Sequence, residues 1–220
     1  MQLNFKSIFE ISEKKESLGN QFRNKRFQFF FNKIKKLKKP VTMLEEGGKI
    51  DNEENRKLVW NNDYQITLLN IDLEHSLYSN IKTLKGNATQ MSELEDDSYD
   101  LTHSNSVIEH LYDFENQSKM ALEVQRVGKK YLIQTPNKYF FLEPHYLLPF
   151  FQFLPNSLKY FILTKTKLSR LKKWDQEFAK QYIKEIRLLS EKEMKILFPK
   201  SKIYCEKFFG MNKSFTAHNF

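Results

Sequence analysis

Short apolar strand patterns alternate with helical patterns between Val41 and Gln134, and this alternation constrains the fold more than any other feature. Such alternation predicts a mostly parallel α/β sheet with helices on both faces. In the run from Tyr99 to Leu111, a strand pattern breaks at small polar residues and restarts as a helix pattern. Ligands bind such sheets outside the carboxyl ends of the strands, so this break marks a candidate site.

Seven strands are predicted, with a long helix before the fifth. The predicted strands cover residues 41–44, 66–69, a short stretch around 84, 99–103, 130–134, 202–208 and 213–217. The helical spacing covers residues 114–127. The last two strands are expected to form a hairpin turned at residues 210–212.

Composition limits the class of protein. A chain of 220 residues with 40% apolar content forms one domain that buries about 70% of its unfolded surface. Its one cysteine, Cys205, excludes an internal disulfide and a cysteine zinc cluster. The N-terminal residues contain no apolar signal core, and we therefore expect a cytoplasmic protein.

The net charge of +9 is distributed unevenly. Residues 1–39 carry 11 basic and 3 acidic side chains, residues 40–158 carry 10 and 18, and residues 159–220 carry 15 and 6. The basic ends can meet phosphate, an anionic membrane surface or only water. No sequence module for nucleic-acid binding is present, so nucleic acid is not the expected partner. No pattern specifies an oligomeric state.

Two segments flank the strand region. Residues 7–39 have the pattern of one or two basic amphipathic helices, and Pro40 ends this pattern. We therefore assign residues 1–39 to an N-terminal helical segment and residues 40–220 to the main domain. Residues 138–190 are predicted to form a helical cap inserted after the fifth strand. Its aromatic part is broken by prolines and is too short for a membrane span of ~20 apolar residues. Residues 165–189 read as a basic helical segment, and Ser190 with Glu193 has capping-box spacing.

Four motifs occur in the order found in one enzyme family: residues 45–48 after the first strand, 86–89 after the third, 104–111 after the fourth and 134–137 after the fifth. Over residues 40–215 the chain resembles the class I S-adenosylmethionine-dependent methyltransferases, most closely their type 11, small-molecule branch. The resemblance implies a Rossmann-like α/β fold with a mostly parallel seven-stranded sheet, an antiparallel last strand, helices on both faces and a helical cap after strand 5. It also implies S-adenosylmethionine as the cofactor.

The resemblance assigns cofactor contacts to ten positions. In the loop after the first strand, Lys49 and Asp51 stand where the family usually has further glycines. The acidic position after the second strand is taken by Asn70 or Asp72, and Asn87 stands for the more usual aspartate that accepts a hydrogen bond from the adenine amine. The implied cofactor-binding residues are Glu45, Gly47, Gly48, Asn70, Asp72, Asn87, Ala88, Ser104, Asn105 and Ser106.

Methyl transfer is a direct displacement on an activated sulfonium, so positioning supplies most of the catalysis. A hydroxyl acceptor still benefits from a base, for which His145 is the first candidate and His110 the second. The five histidines show no pair with metal-ligand spacing and converging carboxylates, so no metal site is expected. An alternative role for His145 is structural packing.

The sequences of residues 135–145, 188–199 and 209–214 resemble methyltransferases of bacterial surface-polysaccharide and lipid-linked glycan clusters. This resemblance implies methyl transfer to oxygen of a small glycan-like, sugar-nucleotide or lipid-linked acceptor. The aromatic cap beside basic helices suits an amphiphilic or anionic acceptor, and we expect peripheral contact with the inner face of an anionic membrane. One alternative is a methyltransferase fold without catalysis that serves as a binding or partner subunit. Another is a basic adaptor at a membrane surface.

Overall fold

The computed structural model describes residues 18–49, 63–73 and 75–220, with side chains from residue 21 onward. In the described ranges the chain divides into two compact units. The larger consists of residues 36–139 and 185–220, and the smaller combines residues up to 35 with residues 140–184. The N-terminal segment thus groups with the cap region rather than forming a unit of its own.

The larger unit contains a seven-stranded sheet in the order β3-β2-β1-β4-β5-β9-β8. Its strands are β1 Val41–Glu46, β2 Tyr64–Asn70, β3 Ile81–Lys85, β4 Tyr99–Asn105, β5 Gly128–Pro136, β8 Lys202–Phe208 and β9 Met211–His218. The pairs among β1 to β5 are parallel, and β9 pairs antiparallel with both β5 and β8. This confirms the predicted α/β architecture, including the antiparallel last strand.

The strand order reverses between β1 and β4, because β2 and β3 lie on one side of β1 while β4 and β5 lie on the other. At such a switch point the connections leave in opposite directions and open a crevice at the carboxyl ends of the strands. The register pairs Glu46 of β1 with Ser104 of β4 at this edge. The predicted binding motifs therefore meet at one edge of the sheet.

One face of the sheet is covered by α2, Phe114–Val127, and α5, Glu191–Leu197. Met120, Ala121 and Val124 of α2 lie on one helical face and pack against the buried residues of β5 and β9. Asp113 caps α2 by accepting from the amide of Asn116. The predicted capping box at α5 is present, with Ser190 and Glu193 bonded reciprocally.

The smaller unit contains α1, Leu18–Ile34, a short hairpin of β6 Leu142–Glu143 and β7 Leu148–Pro149, α3, Asn156–Lys165, and α4, Gln176–Glu185, whose last residue belongs to the larger unit. In α1 the buried residues Phe27, Phe30 and Ile34 share one face, as the amphipathic pattern predicted. Residues 1–17 of that pattern lie outside the described residues. The core of the unit includes Tyr146 and Trp174, whose ring centroids are 5.6 Å apart.

Two local predictions are wrong. The basic segment 165–189 is not a continuous helix, because Arg170 and Leu171 have left-handed backbone angles that interrupt it before α4. The last hairpin turns at Phe209 and Gly210, and β9 already begins at Met211. Among the described residues, no helix combines the length and apolar character needed to cross a membrane.

Candidate cofactor site

A cleft of about 330 Å³ opens at the carboxyl ends of β1, β2 and β3 in the larger unit. Six residues expected to bind a cofactor line it: Gly47, Gly48, Asn70, Asp72, Asn87 and Ala88. Three separate loops supply them, one after each strand. The structure thus brings together residues that are up to 41 positions apart in the chain.

The loop after β1 depends on glycine for its shape. Gly47 has a left-handed φ of +69°, and a Cβ there would lie 2.5 Å from Cγ2 of Val107. A Cβ on Gly48 would lie 2.6 Å from Oε1 of Glu45. Both distances are shorter than real contacts allow, so the backbone stays bare where it borders the cleft. Lys49, in a position where the family usually has glycine, also lines the cleft and is exposed.

Two buried glutamates end β1. Glu45 lies with its Oε1 3.9 Å from Nδ1 of His103 on the neighbouring strand β4. Burial lowers the pKa of His103 to about 4, so this imidazole is neutral near pH 7. Glu46 is 1% exposed, and neither of its carboxyl oxygens has a hydrogen-bond partner in the described structure. Burial, together with the charge of Glu45, raises the pKa of Glu46 well above its usual value.

Asn70 and Asp72, the two candidates for the ribose position, have different surroundings. The Asn70 amide group donates to the carbonyl of Gly48 at 2.9 Å, which ties the end of β2 to the glycine loop. Asp72 is exposed and lines the cleft. An ionised carboxylate is a stronger acceptor for two hydroxyl groups than an amide oxygen. The geometry therefore favours Asp72 for ligand contact and Asn70 for holding the loop.

The loop after β3 is an Asx turn. Oδ1 of Asn87 accepts from the amide and the hydroxyl of Thr89, each at 2.9 Å. If this oxygen also accepts a hydrogen bond from the adenine amine, as predicted, it must do so while it accepts from Thr89. Ala88 is half-buried and borders the cleft with a small side chain.

Ser104, Asn105 and Ser106 lie at the end of β4 and do not line this cleft. The strand extends two residues beyond its predicted end because Ser104 and Asn105 pair with Ile133 and Gln134 of β5. Ser106 has a φ of 60° and donates from its hydroxyl to Oε1 of Gln134 at 2.9 Å. Their contact with a cofactor stays a prediction.

His145, the first base candidate, lies in the smaller unit and is bonded through Nδ1 to Oε1 of Glu143 at 2.7 Å. The other carboxyl oxygen of Glu143 accepts from the amide of Tyr146 at 2.9 Å, which fixes the carboxylate. Glu143 is 1% exposed. Burial lowers the pKa of the nearby Lys159, and the charge of Glu143 partly offsets that effect.

His110, the second base candidate, lies in the larger unit in the turn after β4. Its Nδ1 is 2.6 Å from Oε1 of Glu185. The preceding residue, Glu109, is fully buried and accepts from the hydroxyl of Thr135 at 2.9 Å. Both histidines therefore have a carboxylate on the same ring nitrogen.

Sequence reasoning missed the two carboxylates that orient these imidazoles. Glu143 precedes His145 by two residues, and this spacing was a usable signal because a short strand followed by a turn can fold the carboxylate back. Glu185 is 75 positions from His110, and no local pattern connects them.

The comparisons with known proteins concern the domain sequence and the fold. The sequence model of the methyltransferase domain family, type 11, matches residues 54–131. This match runs from the segment after the glycine loop to β5 and includes the loops after β2, β3 and β4. No curated protein has a sequence that matches the chain significantly.

Solved structures show the same fold. One is an S-adenosylmethionine-dependent methyltransferase from Methanosarcina mazei, with a TM-score of 0.52, 14% identity, and 85% of this chain and 95% of that chain covered. Another is phosphoethanolamine N-methyltransferase 2 from Haemonchus contortus in complex with S-adenosyl-L-methionine, with a TM-score of 0.54, 15% identity, and 82% and 38% covered. At these identities the likeness concerns the fold.

Proposed function

From the class I S-adenosylmethionine-dependent methyltransferase fold of this chain, and from the type 11 domain match over residues 54–131, we propose that it binds S-adenosylmethionine and methylates an oxygen atom. The observation that carries the proposal is the cleft beside Gly47 and Gly48. It opens at the carboxyl ends of β1 to β3, and Val107 and Leu111, which follow β4, extend its lining to the point where the strand order reverses. Its bare backbone admits a ligand at close range.

The residues around the cleft fit the cofactor. Asp72 would accept hydrogen bonds from the ribose hydroxyls, and the backbone amide of Ala88 would donate to the adenine ring. Gly47 and Gly48 would border the amino-acid part of the cofactor without a side chain in the way. When bound, S-adenosylmethionine supplies a methyl group on an activated sulfonium.

His145 is proposed as the base. As the bond from the methyl carbon to the acceptor oxygen forms and the carbon–sulfur bond breaks, the imidazole would take the hydroxyl proton on Nε2. The bond from Nδ1 to Glu143 supports this role, because it sets the tautomer and stabilises the imidazolium that results. The products are a methyl ether and S-adenosylhomocysteine.

The proposed acceptor is a glycan-like molecule with a lipid or nucleotide carrier. The smaller unit supports it with exposed aromatic side chains, of which Phe150 is 59% and Phe153 50% exposed. Aromatic and apolar surfaces of this kind fit sugar faces and acyl chains. The basic excess of residues 159–220 suits an acceptor that carries phosphate.

Calorimetric titration with S-adenosylmethionine and S-adenosylhomocysteine tests cofactor binding. We expect micromolar binding that Asp72→Ala weakens by about tenfold or more, since charge-assisted hydrogen bonds are lost. Glu95→Ala, which removes an exposed acidic side chain away from the cleft, should bind as the unchanged protein does. Absence of binding at millimolar ligand would refute the proposal and favour the alternative of a non-catalytic binding subunit.

Transfer of isotope-labelled methyl groups tests the acceptor. A lipid-linked sugar, its free sugar and a simple primary amine would be compared at equal concentration. Label in an alkali-stable ether of the lipid-linked sugar supports the proposed acceptor. Label only in the amine would overturn oxygen as the acceptor atom while leaving methyl transfer intact.

A further inference from the structure

The smaller unit contains a stretch from Pro155 to Trp174 with six basic side chains and no acidic one. Four of the six lie in the loop 166–173, which we call the basic loop: Lys167, Arg170, Lys172 and Lys173. All four are exposed. Such a surface attracts anions through its summed potential.

The same loop exposes two large apolar side chains. Leu171 is 87% exposed and Leu168 is 63% exposed. On the helix α3, Phe161 is 56% exposed. A scattered exposed leucine is ordinary, but two leucines enclosed by four cations on one short loop form an amphipathic surface.

The loop is held in this conformation by bonds within the smaller unit. Ser169 is fully buried and donates from its hydroxyl to the carbonyl of Tyr146 at 2.8 Å. Arg170 donates through Nε and Nη2 to the carbonyl of His145 at 3.0 and 2.9 Å. Ser169, next to Leu168, thus anchors the loop from the inside, and Arg170, next to Leu171, anchors it at the surface, while the two leucines are exposed.

The backbone of the loop is also strained. Arg170 and Leu171 have φ angles of 52° and 56°, which residues other than glycine and asparagine rarely adopt. Strain of this kind persists only where the surroundings enforce it, and it is concentrated at functional positions. In this conformation the loop presents Leu171 to solvent, and a backbone that is already ordered lowers the ordering cost of binding.

We propose that the basic loop is a docking surface for an anionic phospholipid bilayer, with Leu168 and Leu171 inserted among the headgroups and the surrounding cations bound to lipid phosphates. A bilayer matches both features, because it offers a negative surface above an apolar layer. Nucleic acid matches the charge but gives no place to the two leucines. The proposal concerns a surface separate from the cofactor cleft and does not require methyl transfer.

Vesicle sedimentation tests the proposal. The full chain is mixed with vesicles of phosphatidylcholine alone and with vesicles in which phosphatidylglycerol replaces a third of the lipid. We expect binding to the second kind only, weakened as salt is raised. The Lys172→Gln and Lys173→Gln double variant should weaken binding by about fivefold per cation removed.

A second variant separates insertion from simple charge attraction. Leu168→Ser with Leu171→Asn keeps the charges, and asparagine tolerates the left-handed backbone. This variant should bind phosphatidylglycerol vesicles at least tenfold more weakly, because the apolar contribution is lost. Leu122→Ser is the matched control, since Leu122 is 66% exposed on α2 in the other unit, and it should bind normally.

Three results would overturn the proposal. They are no binding to the anionic vesicles, unchanged binding of the leucine variant, and tighter binding to duplex DNA or RNA than to the vesicles at the same salt. Melting temperatures equal to that of the unchanged protein establish that each variant is folded.

Discussion

The imidazole of His145 is bonded through Nδ1 to a buried carboxylate, Oε1 of Glu143, at 2.7 Å. The other oxygen of the same carboxylate is held by the backbone amide of Tyr146. The Tyr146 amide therefore fixes the carboxylate of Glu143, and this carboxylate orients the imidazole of His145. This arrangement resembles the carboxylate–imidazole part of a general-base system, in which the carboxylate sets the tautomer.

Exchanging either member of this pair should lower turnover. His145→Asn removes the base and should reduce kcat by about 10²-fold to 10⁴-fold, the usual contribution of general-base catalysis. Glu143→Gln keeps an acceptor for the Tyr146 amide but turns an NH₂ group toward Nδ1, which favours the wrong tautomer. We expect its kcat to fall as well, with unchanged affinity for S-adenosylhomocysteine. Steady-state kinetics with calorimetry measures both quantities.

His110→Asn is the control, because His110 has the same kind of carboxylate partner in Glu185. Retained turnover in this variant with loss in His145→Asn assigns the base to His145. The reverse pattern assigns it to His110, and full activity in both variants excludes an imidazole base.

Adding a methyl group to Gly47 should close the glycine loop to the cofactor. The new Cβ would lie 2.5 Å from Val107 in a backbone with φ +69°, so the loop must move. We expect Gly47→Ala to weaken S-adenosylhomocysteine binding at least tenfold and to lower the free energy of unfolding by about 1–3 kcal/mol. Calorimetry and urea unfolding provide the measurements.

Gly210 offers a matched comparison for that change. It has a φ of +80° but nothing within 4 Å of an added Cβ. Gly210→Ala should cost only the backbone strain, about 1 kcal/mol, and leave binding unchanged. Equal loss of binding in both variants would show that the effect is general destabilisation and has no origin in the cleft.

Replacing Glu46 should stabilise the protein, increasingly so as the pH rises. Burial raises the pKa of Glu46 in the folded state above 4.5, so folding favours the protonated form. Its contribution to stability is present below the unfolded pKa and is lost as pH rises toward the folded pKa. Glu46→Leu removes this loss and an unpartnered buried carboxyl, and should add about 1–3 kcal/mol to the free energy of unfolding at pH 8.

Urea unfolding at pH 5 and pH 8 measures this difference. Glu193→Leu is the comparison, since Glu193 completes the capping box of α5 and its loss should destabilise the protein at both pH values. Lower stability of Glu46→Leu at pH 8 would mean that the carboxyl has a stabilising role in the folded protein.

His103 should make the protein less stable in acid. Its folded pKa of about 4 lies below the ordinary 6.5, so the unfolded chain binds a proton first as pH falls. Stability is retained above pH 6.5 and is lost between about pH 6.5 and pH 4, by about 3 kcal/mol if the other groups are constant. His103→Gln should flatten that part of the stability curve in thermal unfolding at pH 4 to 8. If the variant has the same slope as the unchanged protein, His103 has the same pKa in the folded and the unfolded chain.

The sequence alone determined the order and type of the strands, the helix Phe114–Val127 and the loops that could hold a cofactor. These features depend on periodicity, caps and glycine positions, which act over a few residues. The cofactor contacts at Gly47, Asp72 and Ala88 came instead from the resemblance to the methyltransferase family, and they stay predictions. Five strand ends were placed one or two residues too early, because partner strands extend the ladder through residues whose own propensity is weak: Glu46, Asn70, Asn105, Pro136 and His218.

Only the tertiary structure decided which polar groups meet. The bond from His110 to Glu185 joins residues 75 positions apart. The buried Glu46 lies between Leu69 of β2 and Ser104 of β4, which are distant from it in the chain. The position of Leu171 on a strained loop follows from bonds that Ser169 and Arg170 make to Tyr146 and His145. Side-chain desolvation and long-range hydrogen bonds arise when distant segments pack, so local sequence patterns do not contain them.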